Sequence, residues 1–175
     1  DGNRLKAALL LSDQAIVEDI RANPERESMG STVVACLVQN DRATLVHVGD
    51  SRAYLLDSKG IRQVTRDHSW VAEQVANGIL TSDEARKHPF RNVITQALGN
   101  GGDLDVAVQE IQVKELDRLL LCSDGLSGMV QDADIWSIVQ GAPNLQQAAR
   151  ELIEKARDNG GEDNITVVIV GIDAE

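Results

Sequence analysis

The first third of the chain changes from a helical pattern to short apolar runs. Apolar residues recur at helical spacing from Leu5 to Ile20, and this pattern ends near Asn23-Pro24, which predicts a first helix. Four runs rich in β-branched and aliphatic residues follow, separated by turn residues, and they predict the strands of a meander. These strands are expected at residues 32–38, 43–48, 52–56 and 61–64.

The pattern changes again between residues 69 and 99. This stretch is long, irregular and polar, with two short helical pieces, and segments of that kind often carry function. Beyond it, strand-like and helical patterns alternate in longer pieces. The predicted elements are helices at 70–76 and 82–87, strands at 106–113 and 118–122, helices at 132–139 and 145–158, and a final strand at 165–172.

The order of these elements favours an α+β fold. Helices with strands between them also occur in parallel βαβ folds, but here the strands come in hairpin-connected groups. The chain has 175 residues, 42% of them hydrophobic, and it contains no internal repeat, low-complexity tract or Pro-rich linker. We therefore predict one domain, residues 1–175, large enough to bury about 70% of its unfolded surface.

The net charge and the cysteines of the chain exclude some classes of function and favour others. A net charge of -11 argues against binding to nucleic acid, which needs a basic surface, and it suits a protein that gathers divalent cations. Cys36 and Cys122 lie in apolar runs, where reduced and buried thiols are expected, so the sequence favours a cytoplasmic protein. No apolar stretch approaches the roughly 20 residues that cross a bilayer, so no membrane association is expected.

Three aspartates stand where apolar strands meet turns that contain Gly or Asn. Asp50 and Asp124 each follow a predicted strand, and Asp163 precedes the last one. If the last strand runs antiparallel to the other two, all three carboxylates meet at one rim of a sheet. Clustered carboxylates repel one another, and a hard cation such as Mg2+ or Mn2+ relieves that cost. The alternative is that each aspartate is only a turn residue, because Asp and Gly both tolerate turn conformations.

Six short motifs follow one another along the chain, and three of them contain these aspartates. They are Met29-Gly30-Ser31-Thr32, Gly49-Asp50-Ser51-Arg52, Thr65-Arg66-Asp67-His68-Ser69, Thr95-Gln96-Ala97-Leu98-Gly99, Ser123-Asp124-Gly125-Leu126 and Glu162-Asp163-Asn164-Ile165-Thr166. In order and spacing they resemble the motifs of the PPM (type 2C) family of metal-dependent protein serine/threonine phosphatases, in its bacterial form. The resemblance runs from about Leu5 to the C-terminus.

This resemblance implies a fold, a reaction and a set of ligands. The family packs two antiparallel sheets as a sandwich flanked by helices, and it hydrolyses phosphoserine and phosphothreonine in proteins with a metal-activated water. It implies two to three Mn2+ or Mg2+ ions, with Asp124 and Asp163 on the first and Asp50 with Asp124 on a third, weaker one. Phosphoprotein substrates, including a protein kinase, are the expected partners.

The chain also departs from the family pattern near its start. Family members carry an early Arg that holds the substrate phosphate, and an Asp-Gly-Met-Gly-Gly motif whose Asp bridges two metal ions. Asp1-Gly2 is followed directly by Asn3-Arg4-Leu5, without the further glycines of that motif, and so does not match it. We therefore expect a phosphatase-like domain that lacks its N-terminal portion, either as a fragment or by loss. No catalytic side chain is assigned, and activity of this chain alone stays open.

Three functions remain possible from the sequence. They are a metal-dependent protein phosphatase, a catalytically inactive phosphatase-like binding or regulatory module, and a generic divalent-cation-binding domain. His47 alternates with valines in a strand and is expected to be a surface or hairpin residue, whereas His68 is expected to brace the turn into the irregular segment. Ser51, Ser123 and Ser127 lack the partner pattern of a serine nucleophile.

Overall fold

The chain forms two compact units, each built from separate stretches of sequence. A computed structural model describes residues 1–173. The first unit contains residues Asp1–Gln39, Ala43–Asp50 and Arg66–Glu110, and the second contains Asn40–Arg42, Ser51–Thr65 and the chain from Ile111. The single domain expected from the sequence stays a prediction.

The first unit combines one long helix, one sheet and two short helices. Helix α1 spans Gly2–Ala22 and ends as predicted, before a 3-10 turn at Pro24–Arg26. A three-stranded sheet in the order β1-β2-β5 follows, from Val33–Gln39, Arg42–Val48 and Ala107–Gln112. Helices α2 and α3 cover Trp70–Ala76 and Ser82–Lys87 in the irregular segment. The core of this unit contains Leu9, Val46, Val48, Leu98 and Val106.

The second unit contains a four-stranded antiparallel sheet and three helices. The sheet has the order β4-β3-β6-β7, from strands Gly60–Gln63, Arg52–Asp57, Arg118–Cys122 and Val167–Gly171. Helices α4, α5 and α6 span Asp124–Ser127, Asp132–Gly141 and Leu145–Asp158. With two antiparallel sheets and helices, the α+β class predicted from the sequence is confirmed.

Alternation along the strands of the second unit decides which side chains meet the helices. Tyr54 on β3 and Leu120 on β6 are paired in register and share one face of the sheet. Both belong to a buried cluster with Ile135 of α5 and Leu152 of α6. This cluster holds the helical layer on the sheet, and it anchors the strand ends that carry Asp124 and Asp163.

Strand β2 is more deeply buried than its sequence indicated. It is buried without interruption from Ala43 to Val48, so alternation of polar and apolar residues does not mark an outer face here. The surface position expected for His47 is therefore wrong, since this side chain is only 2% exposed. A buried polar ring needs a hydrogen-bond partner, and the Nε2 atom of His47 lies 2.8 Å from the carbonyl oxygen of Arg66.

Truncation of the α6 anchor should destabilise the fold. Leu152 is fully buried in the helix-sheet cluster, so Leu152→Ala should lower the free energy of unfolding by about 2–5 kcal/mol, because it leaves a cavity. Urea-induced unfolding measures this change. Leu11→Ala is the control, because Leu11 is 67% exposed and its loss should cost less than about 0.5 kcal/mol. Equal losses in both variants would show that this cluster does not hold the fold.

Candidate metal centre

Asp124 stands at the junction between a strand and a short helix. Strand β6 ends at Cys122, and α4 begins at Asp124 itself, so the carboxylate occupies the first turn of that helix. Negative charge is favoured there by the unpaired backbone N–H groups. The side chain is half-buried. This short helix did not emerge from the sequence, where Asp124-Gly125 reads equally well as a turn.

Asp163 reaches the same edge of the sheet from the other direction. Strand β7 runs antiparallel to β6, with Cys122 opposite Val167, as the sequence argument required. Asp163 lies four residues before β7, in the loop that follows α6, and its side chain is exposed. Its Oδ1 atom accepts a hydrogen bond from the backbone N–H of Asn164 at 2.6 Å. That bond fixes the side chain against its own loop.

Ser123 ties the two strand ends together. Its backbone N–H donates to the carbonyl oxygen of Thr166 at 3.2 Å, continuing the β6–β7 pairing by one residue. Its hydroxyl donates to the carbonyl oxygen of Asn164 at 2.9 Å and accepts from the N–H of Thr166 at 3.0 Å. The sequence indicated only that Ser123 precedes a turn. Its bonding partners lie more than 40 residues away, and no local signal identifies them.

Gly125 allows the approach between the two loops. A Cβ atom on this residue would collide with the carbonyl oxygen of Asn164 and come within 3.4 Å of the carbonyl carbon of Asp163. Only a residue without a side chain fits between α4 and the Asp163 loop. The glycine after Asp124 therefore permits close backbone approach, a role that the turn interpretation does not include.

The two carboxylates influence each other electrostatically. The pKa of Asp124 is raised above its ordinary value of 3.8, first by burial and then by the negative charge of Asp163. Backbone N–H groups of Gly125 and Asp124 and the charge of Arg52 act in the opposite direction without cancelling the effect. A group whose charged form is destabilised in this way gains from a bound cation.

Asp50 belongs to a different sheet. It follows β2 in the three-stranded sheet of the first unit, whereas β6 and β7 belong to the four-stranded sheet of the second. The idea that all three strands share one rim is therefore wrong, and the three ligands together stay a prediction. Within residues 1–173, no group of three or more His, Cys, Asp or Glu side chains is placed to hold a metal ion. The structure brings together Asp124 and Asp163.

The fold is α+β, and a pair of carboxylates, Asp124 and Asp163, stands at the end of one sheet. The family model for protein phosphatase 2C matches residues 1–74. The serine/threonine protein phosphatase PstP of Mycobacterium tuberculosis is 39% identical over 169 residues, which cover 97% of this chain and 32% of that protein. Its crystal structure superimposes with a TM-score of 0.93 at 38% identity, over 98% of this chain and 72% of the other.

The chain belongs to the protein phosphatase 2C family, which confirms the resemblance seen in its motifs. A second structure of the PstP catalytic domain, in complex with two manganese ions, has a TM-score of 0.84 and 37% identity, over 93% of this chain and 67% of that one. The chain spans about a third of the length of the curated mycobacterial relative. No helix within residues 1–173 combines the length and apolar character needed to cross a membrane.

Removing the charge at Asp124 should stabilise the metal-free protein. Because its pKa is raised on folding, the folded state binds more protons than the unfolded state at pH values just above 3.8, so stability falls as pH rises through that window. This loss of folding stability persists at neutral pH. In the presence of a chelator at pH 7, Asp124→Asn should therefore unfold at a higher temperature than the unmodified protein, and below pH 3.8 the difference should vanish.

Thermal unfolding at a series of pH values measures this effect. Glu154→Gln is the matched control, because it removes a carboxylate charge from an exposed position on α6. Added Mn2+ should raise the unfolding temperature of the unmodified protein more than that of Asp124→Asn. Equal stabilisation of both proteins by Mn2+ would contradict a role of Asp124 in metal binding.

Proposed function

We propose that the protein containing this chain hydrolyses phosphoserine and phosphothreonine in proteins, using a water activated by divalent metal ions. Family membership supports this proposal, and so does the Asp124–Asp163 pair. The single observation that carries it is the match to the structure of the serine/threonine phosphatase PstP, with a TM-score of 0.93 at 38% identity. Burial and the neighbouring Asp163 also raise the pKa of Asp124, which makes the pair a site of unfavourable negative charge that suits a cation. Metal-dependent hydrolysis needs such a site.

The residues present fit part of a Mn2+ or Mg2+ site. Both ions prefer oxygen ligands, and Mg2+ commonly binds one or two carboxylates while substrate phosphate and water complete its coordination. Asp124 and Asp163 match that pattern, and manganese in the related PstP catalytic domain supports the choice of metal. We propose that Asp124 and Asp163 hold one ion, and that Asp50 with Asp124 holds a weaker one, in a site of two to three ions.

The chemistry divides between the ions and the chain. When bound, divalent ions lower the pKa of a coordinated water and neutralise charge on a phosphate. The chain contributes position: Ser123 ties the Asp124 and Asp163 loops together and Gly125 leaves room for their approach, so the two carboxylates are kept near each other. Preorganised charge of this kind is worth more than charge that must be gathered during the reaction.

Ser123 is an unsuitable nucleophile in this arrangement. Its hydroxyl donates to the Asn164 carbonyl and accepts from the Thr166 N–H, so attack on phosphorus would cost the proton that bonds Asn164. A serine nucleophile also needs an adjacent general base to take its proton. These bonds favour hydrolysis by water over a covalent phosphoserine intermediate.

The expected partners follow from the reaction class and from charge. We propose phosphorylated proteins as substrates, a protein kinase among them, and a cytoplasmic location, in keeping with the two free cysteines, Cys36 and Cys122. A net charge of -11 disfavours nucleic acid as a partner. No membrane partner is proposed.

Substitution of Asp124 and Asp50 should have different effects on the full natural gene product. Asp124→Ala should abolish hydrolysis of a phosphothreonine peptide at every Mn2+ concentration, because Asp124 is assigned to two ions. Asp50→Ala should lower turnover but leave the tightly bound metal in place, because the ligands of that metal are unchanged. Steady-state rates and metal stoichiometry by calorimetry measure both effects.

Glu154→Gln serves again as the control and should retain normal turnover. If Asp50→Ala emptied every metal site, or if Asp124→Ala kept full turnover, the assignment of these aspartates would be wrong. A gene product that binds the phosphopeptide without hydrolysing it would instead be a catalytically inactive binding module.

A further inference from the structure

Two histidine rings lie against each other beside the end of β2, in the first unit. The ring centroids of His47 and His68 are 4.8 Å apart, and the rings are inclined by 30°. The Nε2 atom of His47 lies 2.8 Å from the carbonyl oxygen of Arg66. Because a carbonyl oxygen only accepts hydrogen bonds, His47 carries a proton on Nε2 and donates it there.

His68 is bonded to Gly49 in two ways. The backbone N–H of His68 donates to the carbonyl oxygen of Gly49 at 2.9 Å. In return, the backbone N–H of Gly49 donates to the Nδ1 atom of the His68 ring at 3.3 Å. An N–H group cannot donate to a nitrogen that already carries a proton. The neutral His68 ring must therefore hold its proton on Nε2.

The surroundings of His68 favour this neutral form. Burial lowers the pKa of His68, and the neighbouring His47 and the charge of Arg66 act in the same direction. The carboxylates of Asp105 and Asp67 act against them without reversing the shift. A neutral ring keeps Nδ1 available as an acceptor for the Gly49 amide.

Gly49 is constrained on its other side by Thr32. Its φ of +100° lies in the region that favours glycine, and a Cβ atom there would collide with the Cγ2 atom of Thr32. The amide of Gly49 is thus held by His68, while its α-carbon lies against Thr32. Asp50 is the next residue, so the orientation of Gly49 decides the direction in which the chain presents Asp50.

We propose that His68 is a positioning residue for Asp50, and that it acts as the neutral Nε2–H tautomer whose Nδ1 atom holds the Gly49 amide. His47 supports this role by packing against the His68 ring. The backbone N–H of Thr95 also donates to the carbonyl oxygen of His68 at 2.8 Å, which ties the same residue to the end of the irregular segment. The consequence for catalysis rests on the proposed function, in which Asp50 binds the weaker ion.

Two substitutions distinguish the effect of the hydrogen-bond acceptor of His68 from the effect of the volume of its ring. In His68→Asn, the side-chain oxygen lies close to the place of Nδ1 and keeps an acceptor for the Gly49 amide. In His68→Leu, the volume is similar but the acceptor is lost. Hydrogen exchange of the Gly49 amide in the full gene product, followed by NMR, should be about tenfold faster in His68→Leu and close to normal in His68→Asn.

His88→Leu is the matched control. The Nδ1 atom of His88 also accepts a backbone N–H, that of Phe90 at 3.1 Å, but it makes no bond to Gly49. This variant should leave exchange at Gly49 unchanged. Faster exchange in His88→Leu as well would indicate general loosening of the unit and would overturn a specific role for His68.

The Mn2+ requirement of hydrolysis tests whether His68 positions Asp50. The Mn2+ concentration that gives half-maximal hydrolysis should rise several-fold in His68→Leu, by analogy with the effect of a lost outer-shell partner, and His68→Asn should restore it. A normal Mn2+ requirement in His68→Leu, despite faster Gly49 exchange, would show that the bond does not position Asp50. If the unmodified gene product hydrolyses no phosphopeptide, the proposed function fails, while the exchange experiment still decides the bonding role of His68.

The tautomer of the His68 ring can be measured on the unmodified protein, so this test needs no variant. Nitrogen-15 chemical shifts of the His68 ring should show a protonated Nε2 and an unprotonated Nδ1 at pH 7. A protonated Nδ1 would overturn the proposal even if His68→Leu failed to fold.

Discussion

The approach of two loops at the ends of β6 and β7 is the constraint on which the candidate site depends. Asp124 and Asp163 come from positions almost 40 residues apart, and the charge of the exposed Asp163 acts on the half-buried carboxylate of Asp124. Ser123 holds the loops together through three hydrogen bonds, and Gly125 allows them to meet because it has no side chain. The backbone thus maintains an arrangement that electrostatic repulsion opposes.

The hydrophobic core of the second unit offsets that repulsion. The cluster of Tyr54, Leu120, Ile135 and Leu152 packs the helices on the same sheet, and the burial of these side chains stabilises the unit that carries the unfavourable carboxylate pair. Functional sites commonly retain such strain, which a bound ligand relieves. In the proposed site a cation would have that effect, and family membership makes Mn2+ or Mg2+ the natural choice.

The two units use glycine in related ways. Gly125 gives α4 access to the Asp163 loop, and Gly49 turns the chain against Thr32 just before Asp50. In each case the glycine directly adjoins an aspartate, and a neighbouring polar group, Ser123 or His68, holds the local backbone by hydrogen bonds. A common physical device therefore presents acidic side chains in both units, although the residues that provide it differ.

Much of this protein follows from local sequence pattern. Apolar periodicity predicted α1, the strands and the two long C-terminal helices within a few residues, because each pattern reflects contacts of one element with its core. The grouping of strands into hairpins identified the α+β class. The six motifs identified the family, because their order and spacing resemble those of the family. The polar strand ends at Asp124 and Asp163 were also visible as candidate ligands.

Only the tertiary structure decided what those residues contact. The division of β2 and β6 between separate sheets, the burial of His47 and the bonding of Ser123 all depend on pairing between distant segments. A turn containing Asp-Gly has the same local sequence whether or not another loop lies against it. The sequence therefore determined the elements and the chemical types available, whereas long-range hydrogen bonds and close backbone approach determined which side chains act together.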